Sequence, residues 1–244
     1  MGILDLFRGS TDAEKALKLK SKLTQKYGDP LGRQKAIETL GSQRVPEAVQ
    51  VLLHRFTFAV EPATTDTEEK ERVLDLVAGF GQDALPQLKA FLRSSDAGIS
   101  WALRAIGHIL SEEDAVGLVV DELTYLGSTY SRTHEKIVIL MRSLDGKTDP
   151  RIAPALVPLL EDTADDVKVA ALQLLGPLKY EPAREPILAL LASSETARRA
   201  QAAALESLAR SGFEVGTHRA EVEALLGERF ILDAKGHVQP RPVS

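Results

Sequence analysis

Arg104 and Arg142 each stand two positions before an Ile or Leu that helical spacing turns inward, so the register aims both guanidiniums at one face. The same register puts Glu38, Ala78, Gln173 and Glu206 at the corresponding places of other helices, giving a column that is basic in its middle and acidic at its ends. His108, one turn beyond Arg104, and Arg210, at the equivalent spot of the last copy, extend it. Two arginines facing one groove can each grip a carboxylate or phosphate through paired N–H donors, which suits an acidic peptide. The competing reading is that each arginine bridges an acid of the adjacent helix and holds no ligand. Trp101, three before Arg104, is either a platform in that groove or a wedge filling an irregular junction.

Covalent chemistry finds no comparable set. Nucleophile, base and orienting group do not recur in a recognisable arrangement, and neither a phosphate-cradling glycine loop nor a nucleophile elbow is present. His54, His108, His134, His218 and His237 are scattered, and none forms a His-x-x-x-His or Glu-x-x-His pair that would set two ligands on one helical face. His108 and Glu112 are four apart but straddle the expected end of a helix at Ser111. The expectation is no catalytic residue, no metal and no cofactor. A second candidate surface is the segment 56–67, read as a long inserted loop in which Phe56 and Phe58 either form an apolar lip for a partner or fold back over the core. Asp66 and Glu69 have the spacing to cap the helix that follows it.

The elements that must position these residues are helices. A small or apolar residue followed four positions later by a core leucine or its equivalent recurs as Ala36/Leu40, Leu76/Phe80, Ala102/Ile106, Leu140/Leu144, Ala171/Leu175 and Ala204/Leu208. Successive second members are 40, 26, 38, 31 and 33 apart, the range of stacked helical pairs. Inner helices are expected near 68–80, 98–110, 132–145, 166–178 and 196–210, and outer ones near 82–93, 112–126, 149–161, 182–192 and 217–228. Gly28-Asp29-Pro30 stops a first helix, and Pro46 suits the first turn of a third. Acids opening outer helices, such as Glu112-Glu113-Asp114, read as dipole partners and not as metal ligands. The end, Phe230 to Val238, reads as two short extended pieces around a Gly-containing turn, with a disordered or extended tail from Gln239 to Ser244.

These phrases resemble the HEAT-repeat superfamily, in particular the short bacterial repeats also seen in phycobilin lyase subunits. The clearest copy is Asp162 to Gly176, with Asp162, Val167, Lys168, Ala171, Leu175 and Gly176, and a second runs from Arg33 to Gly41. The resemblance covers roughly 12–228 and implies an all-α fold, a right-handed α-solenoid of about six helix pairs with the Ala and Leu helices on the concave side. It implies no reaction. The domain reading is one array over 1–228, including an apolar tip at 1–11, followed by a hairpin and flexible tail at 229–244.

Composition bounds the partners. With 44% hydrophobic and 5% aromatic residues the 244-residue chain favours helix and can bury a continuous interior. The net charge of -5 disfavours nucleic acid, but residues 1–33 hold seven Lys/Arg against four Asp/Glu, leaving -8 for the rest. Lys15, Lys18, Lys22 and Lys26 in that stretch either make a weak contact with anionic membrane or form the solvated face of a capping helix. The absence of cysteine fits a cytoplasmic address. The N-terminal residues match neither a signal peptide nor a myristoylation site. These features lead to the expectation of a monomeric, non-enzymatic scaffold or adaptor that binds another protein or acidic peptide. The alternatives are a nucleic-acid-binding or DNA-glycosylase-like protein and a bilin-lyase-like accessory protein.

Overall fold

Leucine and alanine at helical spacing, punctuated by glycine, proline and capping acids, build a mostly helical chain. A computed structural model describes the backbone at residues 3–127 and 133–242 and the side chains at 12–127 and 133–242. Met1, Gly2, the side chains of the 1–11 tip, the expected helix start at 132 and the last two residues of the tail lie outside the described residues. The elements are α1 (Ile3–Leu23), α2 (Pro30–Ser42), α3 (Pro46–Leu53), α4 (Ala63–Gly79), α5 (Leu85–Ser94), α6 (Ile99–Ile109), α7 (Glu112–Gly127), α8 (His134–Arg142), α9 (Ile152–Leu156), α10 (Asp165–Leu178), α11 (Arg184–Ala192), α12 (Arg198–Ser211) and α13 (Arg219–Leu225), then strands β1 (Phe230–Leu232) and β2 (Val238–Pro240). Short 3-10 turns at His54–Thr57, Gly81–Ala84, Val157–Glu161, Glu181–Ala183 and Gly216–His218 join several of them. Among the described residues no helix is long and apolar enough to cross a membrane.

The chain divides into two compact units, Met1–Ala115 and Val116–Ser244, the division falling within α7. In the first unit α2, α4 and α6 pack in one row and α1, α3 and α5 in a second. In the second, α8, α10 and α12 form a row, backed by the 3-10 turn at Val157–Glu161, α11 and α13.

Local chemistry accounts for the boundaries. The Asp29 carboxylate accepts from the Leu31 and Gly32 amides at 3.1 and 3.0 Å and starts α2, with Pro30 in its first turn. Ser111 Oγ accepts from the Asp114 amide at 3.1 Å and starts α7. Gly98 enters α6 at φ +78, and a Cβ there would lie 2.8 Å from the Phe56 carbonyl oxygen, so this junction requires glycine on both counts. Gly176 lets α10 approach α12, since its Cβ would stand 3.2 Å from Ser207 Cα.

Ten of the twelve anchor residues are buried: both members of the copies at 36/40, 102/106, 140/144, 171/175 and 204/208. The copy at Leu76/Phe80 is corrected. Both residues are only half-buried, whereas Val73, Leu74 and Val77 fill the core. Putting the anchor at Val77 changes the first two spacings from 40 and 26 to 37 and 29, and removes Ala78 from the column. Spacing alone favours the larger Leu76 and Phe80, but packing buries the stripe of Val73, Leu74 and Val77.

Two further expectations change. The 56–67 segment is not a long loop: a 3-10 turn ends at Thr57 and α4 already begins at Ala63, leaving five residues between. The Asp66–Glu69 cap does not form, because both acids lie within α4 and face buried arginines. The C-terminal hairpin forms with Phe230 opposite Pro240 and Leu232 opposite Val238, so Gln239 and Pro240 belong to a strand and not to the tail.

Candidate functional site

In the first unit the polar residues of the inner row are already engaged. Arg72 Nε and Nη2 meet Glu38 Oε1 and Oε2 at 2.6 and 2.7 Å, and these hydrogen bonds hold the Glu38 carboxyl below the usual carboxylate range. Arg104 Nη2 lies 3.0 Å from both Glu71 oxygens, and its guanidinium covers the Trp101 ring with 4.5 Å from Cζ to the centroid. Trp101 is half-buried and stacks on Phe56, ring centroids 5.7 Å apart. Phe56 is buried and Phe58 half-buried beneath Arg55, so the pair presents no apolar lip: both rings are used in packing. His108 is exposed.

The same unit contains a charged cluster that the sequence reading missed. Glu69 accepts from Arg33 Nε at 3.1 Å and from Arg55 Nε at 2.7 Å, all three being buried. Arg55 Nη2 reaches Asp66 at 2.7 Å, Lys70 Nζ reaches the other Asp66 oxygen at 2.8 Å, and the Val60 amide adds a third bond. Burial pushes the Asp66 carboxyl upward, but the bonds from Lys70, Arg55 and Val60 outweigh it and hold the group low. Arg55 and Arg33 spend their remaining donors on the Phe58, Gln25 and Gly28 carbonyls. Every charged group has a partner of opposite sign, three cations sharing two anions, and the cluster ties α2, α4, the turn before α2 and the 3-10 turn at His54–Thr57 together. A signal was present, because Arg33 and the run Asp66, Glu69, Lys70 fall at the spacing of the buried stripes of α2 and α4.

The second unit differs. Two adjoining hollows follow the row of α8, α10 and α12. One, about 550 Å³, is lined by His134, Arg142, Asp166, Gln173 and Arg199 among others. The other, about 520 Å³, is lined by Arg142, Asp145, Gln173 and Arg210 with apolar Met141 and Leu174. Arg142 and Gln173 belong to both. Arg210 is bridged within its helix to Glu206 at 2.7 Å, Arg199 is bridged to Asp166, and His134 Nε2 lies 3.4 Å from Asp162. Arg142 is exposed and has no ion-pair partner among the described residues.

Glu38–Arg72, Glu71–Arg104 and Asp166–Arg199 join residues 34, 33 and 33 apart, so within each unit these arginines meet an acid of a neighbouring helix. Thus the structure brings together Arg142, Gln173, Glu206 and Arg210 in the second unit, while Glu38, Arg104, His108, Trp101, Phe56 and Phe58 belong to the first. Among the described residues no group of three or more His, Asp or Glu could hold a metal ion.

No protein-family model matches the chain. No curated protein matches it either. Among solved structures it is similar to human deoxyhypusine hydroxylase in complex with glycerol, with 15% identity, a TM-score of 0.38, and coverage of 90% of this chain and 92% of the other. That protein is an enzyme. The expectation of a non-enzymatic scaffold or adaptor is corrected on this finding, and the match names neither a glycosylase nor a bilin lyase. At this identity and TM-score no activity passes to the present chain.

Proposed function

We propose that the second unit binds an acidic stretch of another polypeptide along the α8, α10 and α12 row, with Arg142 as its anchor. The observation that supports the reading is the open guanidinium of Arg142 at the meeting point of two hollows, where other arginines of the row and of the first unit hold repeat-spaced acids. Arg142 supplies paired N–H donors to a carboxylate and Gln173 adds an amide donor beside it, over a floor formed by the buried Met141 and Leu174. Arg210 and Arg199 are each oriented by an acid, so their charges are already matched in the free protein.

The finer fold reading belongs to the same proposal. Within each unit the helix pairs act as HEAT-like repeats of right-handed sense, which supplies an inner row with regularly spaced polar positions. The chain works as a monomer in the cytoplasm, where its lack of cysteine is neutral to redox conditions.

Fluorescence anisotropy with a labelled Asp/Glu-rich peptide tests the binding. Arg142→Ala lowers affinity by roughly tenfold to a hundredfold, the range for losing a hydrogen-bonded charge, and rising salt weakens the wild type. Arg104→Ala leaves affinity unchanged. Equal binding by wild type and Arg142→Ala overturns the proposal.

A further inference from the structure

We infer that the end of α1 and the turn into α2 form a docking face for an anionic lipid bilayer, a surface in the first unit independent of the Arg142 hollows. Exposed large hydrophobic side chains are rare here: among the described residues they are Leu17 (49%), Tyr27 (92%), Leu31 (73%) and Tyr125 (46%). Three of these four fall between positions 17 and 31. Scattered singly they would need no explanation, but Tyr27 and Leu31 flank one turn, with Leu17 on the helix that leads into it.

The same stretch concentrates positive charge. Residues 12–35 carry exposed Lys15, Lys18, Lys20, Lys22, Lys26 and Lys35 against Asp12, Glu14 and Asp29, with Arg33 buried on Glu69, in a chain whose total is -5. Lys15, Lys18 and Lys22 share one stripe of α1 that flanks the face of the buried Ala16 and Leu23, about a third of a turn around the helix. Lys15 is paired with Asp12 at 3.1 Å, whereas Lys18, Lys22 and Lys26 are exposed with no ion-pair partner among the described residues. Lys26 Nζ lies 5.5 Å from the centre of the Tyr27 ring, so cation and aromatic face solvent together.

The turn is also held rigid. Arg33 Nη1 donates to the Gln25 and Gly28 carbonyls at 3.0 and 3.4 Å while its other nitrogens are fixed on buried Glu69, and Asp29 caps α2 from the far side of the turn. Tyr27 and Leu31 are therefore presented outward on a fixed support, and little ordering entropy is lost when they dock. A tyrosine and a leucine beside unpaired lysines match the interface of a bilayer, where the aromatic and aliphatic groups sit at the acyl boundary and the ammonium groups meet anionic headgroups. A nucleic acid or an acidic protein surface would use the lysines but gain little from Leu31.

Sedimentation with vesicles of phosphatidylcholine alone, and of phosphatidylcholine with a minor fraction of phosphatidylserine, reads this directly on the full chain. The wild type pellets only with the anionic vesicles. Replacing Lys18, Lys22 and Lys26 together by Gln lowers partitioning by roughly a hundredfold, at about fivefold per lysine. A Tyr27→Ser, Leu31→Ser variant lowers it by about tenfold or more, with an unchanged urea midpoint showing that the exposed substitutions leave the fold intact. Pelleting equally on both vesicles, or on neither, overturns the inference. So does a Tyr27/Leu31 variant that pellets like the wild type, since that result identifies a general polyanion surface.

Discussion

Glu69 is the residue on which the first unit's polar interior depends. It is the common acceptor of two buried arginines, and removing it leaves Arg33 without an anion and Arg55 with Asp66 alone, in a site closed to water. Glu69→Ala is predicted to cost about 3–5 kcal/mol in urea unfolding, whereas Arg72→Ala, which breaks the exposed Glu38 pair, costs under about 1 kcal/mol. Similar losses from both would mean that the cluster is solvated. His54 supplies a pH test in the same unit. Burial and then the charge of Lys20 hold its pKa below the ordinary 6.5, so the folded chain favours the neutral ring. The unfolded histidine takes its proton first as pH falls, so this contribution is intact above 6.5 and is lost as pH falls through the folded value. His54→Gln is predicted to shrink the drop in urea midpoint between about pH 7.5 and about pH 5.5; an unchanged drop contradicts the assignment.

Elements are set by the junctions between helices more than by helix propensity. Gly98 and Gly81 separate the two reasons for glycine. Both have positive φ, but a side chain at Gly81 meets open space while one at Gly98 meets the Phe56 backbone. Gly81→Ala is predicted to cost about 1 kcal/mol from backbone strain alone. Gly98→Ala costs about 2 kcal/mol or more, because the α6 entry must shift away from Phe56 and disturb its stack on Trp101. Equal midpoints for the two variants would show that the close approach is relaxed in solution. The sequence exposed these junctions unevenly. Asp29, Pro30 and Pro46 act through their own backbone and nearest amides, so their helix starts were readable locally. The start of α4 at Ala63 was not, because Asp66 and Glu69 have a capping spacing and only tertiary contact with Arg55 shows that they are spent elsewhere.

At the scale of the molecule, the helical class was legible because burial acts on five of the six anchor pairs: Leu40, Ile106, Leu144, Leu175 and Leu208 are all buried. The copy at Leu76/Phe80 failed because spacing alone does not choose between two overlapping stripes, and packing selected Val73 and Val77. The candidate site was only half legible. Register placed Arg142, Gln173 and Arg210 near one another, but it treated Arg104 and Arg142 alike, although Glu71 engages the first and no ion-pair partner among the described residues engages the second. Which arginine is open depends on the side chains of a neighbouring helix, information that periodicity of the apolar residues does not carry. The central claim is therefore that Arg142 is an open cation of the α8, α10 and α12 row and receives a ligand carboxylate. It is tested most directly by NMR titration of the labelled full chain with an acidic peptide, following arginine Nε–Hε and backbone amide signals. The account predicts saturable shifts at Arg142, with smaller ones at Gln173, Arg199 and Arg210, abolished by Arg142→Ala. Saturation with the Arg142 signal unmoved, or unchanged shifts in the variant, would contradict it.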